Sequence, residues 1–422
     1  MADHGERDAL CKMYFDMGQK YRQICRTLAT YHGIVLSERQ LCRTLRRMNL
    51  TRRTYSPIGD IIEFVHGELG ASGRMPGYRL MWERCLEYGY RVRKEDVRLL
   101  LRVLDPDGVA VRQSRRLKRR AYYARGPNFI WHYDGYDKLK PYGLCVSGCI
   151  DGYSRHIIWM NAYHTNNEPK LIGGYFLESI VKFGGAPTRI RSDCGSENGH
   201  VCAFQQLLRA DNDDRYALNA YKYGTSTSNQ RIEAYWGILR KQCTHYWINF
   251  FKDLQENDDH DGGFLDKALT QFCFVPVLQD ELDKTSAIWN RHRIRKQANV
   301  ASPAGRPQVL FRLPLLEGTR DYICNVQDDA VEACINEASF RDHKNCHKTV
   351  HDVCTEIVER DHLPDVTDIH SAKERYLYLR AVFAAENLGD IDHNDDNDSD
   401  DSDDSDESDD SDDSDDSEDE SD

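Results

Sequence analysis

Apolar side chains recur every three or four positions through the first part of the chain, the spacing of amphipathic helices. The pattern predicts two helix-turn-helix-like units, at residues 1–55 and 56–110. In the first unit we expect Ser37 to cap a helix whose Leu41 and Leu45 face the core. Arginines occupy its other faces, so this helix is either a recognition helix for a DNA groove or a basic surface of a small bundle.

From residue 126 the pattern changes to short runs of alternating apolar residues, which predict β-strands. Three such strands follow one another, and the turn between the second and third is tight enough for a hairpin. An amphipathic helix at 167–185, a short strand at 188–193 and a helix beginning near Gln230 come next. We therefore expect an α/β fold, a mixed sheet covered by helices, in which the first and fourth strands are neighbours.

The charge of the chain is divided unevenly. Its net charge is −14, but residues 390–422 hold 21 Asp or Glu and no Lys or Arg. The remainder carries 49 acidic and 56 basic residues, and this net positive charge suits a polyanionic partner such as DNA. The Asp/Ser-rich tail at 389–422 has too few apolar residues to form a core, and we expect it to be disordered. It binds histones or other basic proteins, mimics DNA and competes for the basic channel, or serves only to keep the chain soluble.

A dense basic segment separates the helical units from the predicted sheet. The predicted linker at 111–126 contains Arg115, Arg116, Lys118, Arg119 and Arg120. Such a segment binds a phosphate backbone, stacks on bases or acts as a nuclear localisation signal. The alternative is a solvated linker. We predict that it contacts DNA and that the protein works in the nucleus.

The cysteine pattern and the hydropathy indicate the cellular compartment in which the protein works. The 14 cysteines include no CxxC pair, and no apolar run is long enough to cross a membrane. We expect free thiols, an intracellular protein without a signal peptide, and no membrane partner. His347 and His351 have the spacing of a helical metal pair, beside Cys346 and Cys354. Without a second His/Cys cluster, we do not expect zinc.

Three carboxylates in separate motifs are the candidate catalytic and metal-binding residues. They are Asp134 in WHYDGYD, Asp193 in SDCGSEN and Glu233 in NQRIEAYWG. Brought together by a fold, they supply hard anionic oxygens, which suit two Mg²⁺ or Mn²⁺ ions with open positions for phosphate. This set indicates phosphodiester chemistry.

Glu233 lies off the predicted buried stripe of its helix. At helical spacing it shares a face with Gln230, Arg240 and Lys241. These side chains suit a phosphate backbone, so we predict that this face of the helix contacts DNA.

Three neighbours of the aspartates are further candidates. His132 shares a strand face with Asp134 by the two-residue period and either supports that carboxylate or packs in the core. Glu197 and Asn198 follow Asp193 closely. They either position bound water or the scissile phosphate, or cap a turn.

These motifs, in this order, resemble the retroviral integrase and DDE transposase superfamily. WHYDGYD is similar to the family's first-strand motif, CIDGYSRHIIW to its hairpin, SDCGSEN to its second-aspartate motif and NQRIEAYWGILRK to its glutamate helix. The similarity covers about residues 75–310, and its start resembles the helix-turn-helix that precedes the core in bacterial transposases. The 39 residues between Asp193 and Glu233 slightly exceed the spacing usual in the family.

The resemblance implies a fold and a mechanism. The core, at 127–312, would be a ribonuclease H-like mixed five-stranded sheet with flanking helices, followed by a helical region at 313–388. Asp134 would bridge two metal ions, and Asp193 and Glu233 would each complete one site. One ion would activate water or a DNA 3′-hydroxyl, and the other would stabilise the leaving oxygen.

The resulting prediction is a DNA integrase or transposase that cleaves and joins strands, with assembly into a homo-oligomer left open. The alternative is a domesticated DNA-binding or chromatin-associated protein that keeps the integrase fold without strand transfer. An intact triad favours the enzyme, because a core freed from catalysis has no reason to retain all three acids.

Overall fold

A computed structural model describes most of the chain. The described residues are 4–51, 55–70, 77–106, 108–109, 122–212, 216–224, 229–296, 303–342 and 344–386. The predicted DNA contacts of Arg115, Arg116, Lys118, Arg119 and Arg120 lie outside these residues, as does the predicted disorder of the acidic tail.

The first helical unit contains three helices around a small core. They are α1 (His4–Asp16), α2 (Tyr21–His32) and α3 (Glu38–Arg47). Leu41 and Leu45 of α3 are buried, as the pattern predicted. Ser37 caps α3 by accepting a hydrogen bond from the Gln40 backbone N–H, while the Gln40 side chain accepts one from the Ser37 N–H. The helix α1 was not predicted.

The second helical unit has a core of its own. Its helices are α4 (Ile58–Gly70), α5 (Tyr78–Glu87) and α6 (Lys94–Leu104). Ile61 and Val65 of α4 pack with Met81 of α5 and Val97 of α6. One face of α5 is turned towards the large domain that follows.

A five-stranded mixed sheet forms the centre of that domain. Its strands are β1 (Trp131–Tyr136), β2 (Cys145–Asp151), β3 (Ile157–Tyr163), β4 (Ile190–Ser192) and β5 (Tyr221–Tyr223). The order is β3-β2-β1-β4-β5, with β1, β2 and β3 antiparallel and β4 parallel to both β1 and β5. The predicted α/β class, the mixed sheet and the neighbouring first and fourth strands are confirmed, and the architecture is ribonuclease H-like.

Helices cover both faces of the sheet. On one face lie α7 (Pro169–Phe183) and α8 (Gly199–Leu208), and on the other lie α9 (Gln230–Leu239), α10 (His245–Glu256) and α11 (Phe264–Arg291). The predicted amphipathic helix is α7, which ends at Gly184 in the left-handed conformation. Short 3₁₀ helices occur at Asp137–Tyr142, Ser196–Asn198, Ala217–Asn219 and Pro314–Glu317.

Helices α9 and α10 are two parts of one continuous helix. Between them, residues Arg240–Thr244 form a single turn of π-helix, here called the π-turn. Such turns are rare, and they occur frequently at functional sites.

The C-terminal helices complete the core of the large domain. They are α12 (Pro307–Arg312), α13 (Asp328–Glu337), α14 (Lys348–Arg360) and α15 (Ile369–Ala385). Val350 and Ile357 of α14 and Tyr376 and Phe383 of α15 belong to the same apolar cluster as α9, α10 and α11. No helix within the described ranges combines the length and the apolar character needed to cross a bilayer.

Candidate active site

The register of two parallel strands brings the two aspartates together. Trp131 of β1 pairs with Ile190 of β4, and His132 pairs with Arg191. Continued by two residues, this register sets Asp134 level with Asp193, which follows β4 directly. Adjacent strands lie about 4.8 Å apart, so the two carboxylates stand at the same edge of the fold.

A buried amide attaches the glutamate helix to β1. Asn229 immediately precedes α9, and its side-chain Nδ2 donates a 2.8 Å hydrogen bond to the Tyr133 carbonyl oxygen. The bond therefore joins the start of α9 to the residue before Asp134. Glu233 lies one turn further along, with its backbone N–H 3.3 Å from the Asn229 carbonyl oxygen.

The next turn of α9 contacts Asp134 itself. Trp236 donates from Nε1 to Oδ2 of Asp134 over 2.9 Å. The Trp236 ring also packs against Tyr136, with ring centroids 5.2 Å apart. This bond fixes one oxygen of the carboxylate and orients the other.

Two of the three carboxylates, Asp134 and Glu233, have a raised pKa. Burial, together with the charges of Glu233 and Asp193, raises the pKa of Asp134 to about 7, although the Trp236 hydrogen bond opposes the shift. Burial and the charge of Asp193 also raise the pKa of Glu233. The three side chains therefore lie within electrostatic reach of one another, and a cation between them would relieve the repulsion.

The donor set fits a hard divalent cation, because all three groups offer carboxylate oxygen. Within the described part of the chain, however, no three His, Cys, Asp or Glu side chains already stand close enough together to hold an ion. Asp134, Asp193 and Glu233 would therefore have to move closer together to coordinate one.

Asn198 and Glu197 both border Asp193. Asn198 is buried, and its Nδ2 donates to Oδ1 of Asp193 over 3.0 Å and to Oε1 of Glu197 over 2.9 Å. Burial and the nearby Asp193 carboxylate raise the pKa of Glu197. One amide thus orients two acidic side chains.

His132 bonds to the amide of Asn229. His132 is fully buried, and burial lowers its pKa to about 3, so the ring is neutral. Its Nδ1 lies 2.9 Å from Oδ1 of Asn229, and its Nε2 lies 2.8 Å from the Tyr122 hydroxyl. The Tyr133 carbonyl can only accept, which fixes the orientation of the Asn229 amide. The proton of His132 therefore sits on Nδ1, and Nε2 accepts from Tyr122.

Tyr122 belongs to the basic segment at 111–126 and connects that segment to this network. The guanidinium of Arg231 lies 3.9 Å from the Tyr122 ring centroid, and its Nε donates to the Gly152 carbonyl oxygen over 3.0 Å. The chain therefore enters the large domain beside the first turn of α9.

The exposed face of α9 and of the π-turn that continues it carries the predicted phosphate-binding side chains. Glu233, Arg240 and Lys241 are exposed, and Gln230 is half-buried. The opposite stripe of the helix is buried, as the apolar pattern predicted, and consists of Ile232, Tyr235, Trp236 and Leu239. The helix was expected to open with a capping box at Thr227, a residue outside the described ranges.

Two supporting residues escaped the sequence analysis. Asn229 was passed over because an Asn before a helix is normally a cap, whereas here its side chain bonds to a strand instead. Trp236 was recognised only as a buried residue, and its N–H bond to Asp134 depends on the tertiary fold.

The His/Cys-rich segment near the C-terminus serves packing in this structure. His347 and His351 contact the edges of Phe264 and Phe272, in each case with ring centroids 5.3 Å apart. Cys346 and Cys354 are buried.

A mixed sheet with one acidic residue on its central strand β1, one directly after the neighbouring β4 and one on a covering helix defines the ribonuclease H-like class of protein. Residues 121–316 match the family model of the integrase core domain, which confirms the resemblance to the retroviral integrase superfamily over this part of the chain. The two helical units precede the matched region. No curated protein matches the chain.

Proposed function

We propose that the protein is a polynucleotidyl transferase of the integrase and transposase type, which cleaves DNA and joins a DNA end to a target strand. Asp134, Asp193 and Glu233 are its catalytic residues. The observation that carries the proposal is the convergence of these acids, in which the β1–β4 register aligns two and the Asn229–Tyr133 bond brings in the third.

The three carboxylates would hold two Mg²⁺ or Mn²⁺ ions. Bound there, such ions supply positive charge at the attacking and leaving oxygens of the phosphodiester. The chain's own residues contribute preorganisation. Trp236 orients Asp134, Asn198 orients Asp193, and Asn229 sets the position of the helix that carries Glu233.

The DNA would lie across the exposed face of α9 and the π-turn, where Gln230, Arg240 and Lys241 share a face with Glu233. We propose that the basic segment at 111–126 contacts the same DNA. Support comes from Tyr122, a residue of that segment whose ring contacts Arg231 in the first turn of α9.

The helical units at 1–55 and 56–110 would bind DNA outside the active site, and the basic segment would direct the protein to the nucleus. In α3, Arg39, Arg43 and Arg46 recur at spacings of four and three and are all exposed. This arrangement suits a helix lying among phosphates.

The test uses the purified full-length chain, Mg²⁺ or Mn²⁺, and duplexes that carry the ends of the DNA flanking its gene. The expected products are a nick at the duplex end and joined strands. Asp134→Asn, Asp193→Asn and Glu233→Gln should each abolish both, while Asp253→Asn, at an exposed position of α10, should leave them unchanged. Absence of nicking and joining under all these conditions would refute the proposal.

A domesticated DNA-binding protein is the second candidate. It is favoured by the exposed arginines of α3, which lie outside the region matched by the integrase model. Under this alternative, DNA binding and the cellular role would both persist unchanged in Asp193→Asn.

A further inference from the structure

The π-turn that follows the Glu233 helix is contacted from three directions. The second helical unit reaches Gln242, helix α11 approaches Cys243, and strand β1 bonds to Thr244. A π-turn widens the helix and alters its hydrogen-bond pattern, so its carbonyl groups are open to outside donors. These contacts join the second helical unit to the elements that carry the catalytic acids.

Arg84 makes the contact from the second helical unit. It lies on α5, and its side chain is only 6% exposed. Its Nη1 donates to Oε2 of Glu68 over 2.6 Å, and its Nη2 donates to the Gln242 carbonyl oxygen over 3.0 Å. The guanidinium thus binds a carboxylate of its own unit and a backbone oxygen of the catalytic domain at the same time.

The middle of the π-turn faces a buried acid on α11. Glu281 accepts a hydrogen bond from Nε1 of Trp247 over 2.7 Å and interacts with the Cys243 thiol. The positive charge of Arg84 acts on Glu281 as well. The Arg84 contact is therefore part of a buried polar network, which is more specific than an exposed ion pair.

The end of the π-turn bonds to the strand that carries Asp134. The Thr244 hydroxyl lies 2.8 Å from the hydroxyl of Tyr136, at the end of β1. Tyr136 also packs against Trp236, the residue that donates to Asp134. A shift of the π-turn would therefore move β1 and α9 relative to each other at the site.

We propose that Arg84 is a positioning residue of the second helical unit. Through the Gln242 carbonyl it holds the π-turn and so keeps α9, with Glu233 and Trp236, aligned on Asp134. This role rests on the proposed function. Docking of the helical unit on the catalytic domain then determines whether the three carboxylates can close on a cation.

A guanidinium is suited to this role because of its geometry. It presents several N–H donors in a fixed plane, so one group can bind Glu68 and the Gln242 carbonyl together. Lysine offers one nitrogen on a flexible stem and would satisfy the two acceptors less well. Methionine would fill a similar volume and donate to neither.

The experiment compares Arg84→Met, Arg84→Lys and Arg360→Met in the full-length chain. Arg360, the last residue of α14, also pairs with two carboxylates but is more exposed than Arg84, and it is the control. Four quantities are measured: the dissociation constant for Mn²⁺ by calorimetry, amide hydrogen exchange across residues 240–246, joining turnover and DNA affinity.

We expect Arg84→Met to weaken Mn²⁺ binding and to lower turnover by about tenfold, the usual effect of losing a residue that orients metal ligands. Exchange across 240–246 should accelerate, and DNA affinity should fall by less than turnover, because Arg240 and Lys241 of the π-turn are only part of the proposed DNA contact. Arg84→Lys should recover part of each loss, and Arg360→Met should resemble the unchanged chain. If Arg84→Met does not fold, Glu68→Gln, which removes only the carboxylate partner of the arginine, should show the same effects more weakly.

Two results would overturn the inference, and they are distinguishable. If the unchanged chain binds Mn²⁺ and joins DNA, but neither quantity nor the exchange rate responds to Arg84, the positioning role is wrong and the proposed function stands. If the unchanged chain neither binds Mn²⁺ nor cuts DNA, the proposed function fails. The proposed role of Arg84 in positioning the catalytic residues then fails together with the proposed function, whatever the exchange rates show.

Discussion

The side-chain amide of Asn229 donates to the backbone carbonyl of Tyr133 over 2.8 Å, one residue before Asp134. The same amide accepts from His132, whose buried ring stays neutral. A helix start and a strand are thereby joined by one side chain with both of its polar atoms in use. The position of Glu233 relative to Asp134 depends on this side chain.

Replacing Asn229 should therefore reduce catalysis more than DNA binding. In Asn229→Ala the Tyr133 carbonyl loses its donor, and Asn229→Asp cannot donate either, so we expect turnover to fall by about tenfold or more in both. Nicking rates and DNA affinity measured side by side check this. Asn167→Ala, at an exposed position, is the control, and equal turnover in all three variants would contradict the assignment.

Removing the indole N–H of Trp236 should weaken metal binding. Trp236→Phe keeps an aromatic ring beside Tyr136 but leaves Oδ2 of Asp134 without its donor. The Mn²⁺ concentration needed for half-maximal nicking should rise several-fold. Trp289→Phe also deletes an indole hydrogen bond, to the Arg155 carbonyl, and should leave that concentration unchanged. Identical Mn²⁺ curves for the two variants would contradict the prediction.

Neutralising Asp134 should stabilise the metal-free protein while abolishing its activity. The pKa of about 7 lies above the unfolded value of about 3.9, so ionisation of this group costs stability, which is lost as pH rises from about 4 to about 7. At pH 8 in EDTA, Asp134→Asn should raise the free energy of unfolding by roughly 2 kcal/mol. Denaturant titration measures it. A less stable variant would argue against a repulsive acidic site.

Glu281 should make stability depend on pH in the same direction. Burial raises its pKa to about 7, compared with about 4.3 in an unfolded chain. The folded state therefore favours the protonated acid, and stability is lost as pH rises from about 4 to about 7. Glu281→Gln cannot ionise and escapes that loss. The free energy of unfolding of this variant, relative to that of the unchanged chain, should therefore be roughly 2 kcal/mol higher at pH 8 than at pH 5. Parallel stability curves would rule this out.

The arginines of α3 should contribute to DNA affinity without regard to sequence. If Arg43 contacts a phosphate, Arg43→Ala should weaken binding to all duplexes alike and reduce the slope of log affinity against log salt by about 1. Filter binding or anisotropy at several salt concentrations measures the slope. Arg22→Ala, an exposed arginine of α2, is the control, and an unchanged slope for Arg43→Ala would refute the DNA contact.

The sequence predicted most of the framework because its signals are local. Alternating apolar residues identified the meander, and the apolar stripe with its terminal glycine identified α7. Helix α1 was missed because its buried side chains, Cys11, Tyr14 and Phe15, occupy only its second half. Strand β5 was missed because Tyr221–Tyr223 is too short to show alternation and is held by its pairing with β4.

The three acids could be predicted from their sequence motifs. The hydrogen bonds that hold them in place could not. The bonds of Asn229 and Trp236 link residues 96 and 102 positions apart in the chain, and no local pattern encodes such contacts. The π-turn is equally invisible, since a single wide turn leaves no periodic signal and is stabilised by Arg84, 158 positions from its acceptor.

The way α14 and α15 pack on the catalytic domain determines where the chain can be shortened. The match to the integrase core ends at residue 316, yet Val350, Tyr376 and Phe383 lie in the interior beside α11. A protein cut after residue 316 would expose that apolar surface to water and should aggregate. The unit that folds is thus longer than the unit shared with the family, and a soluble fragment should extend to residue 386.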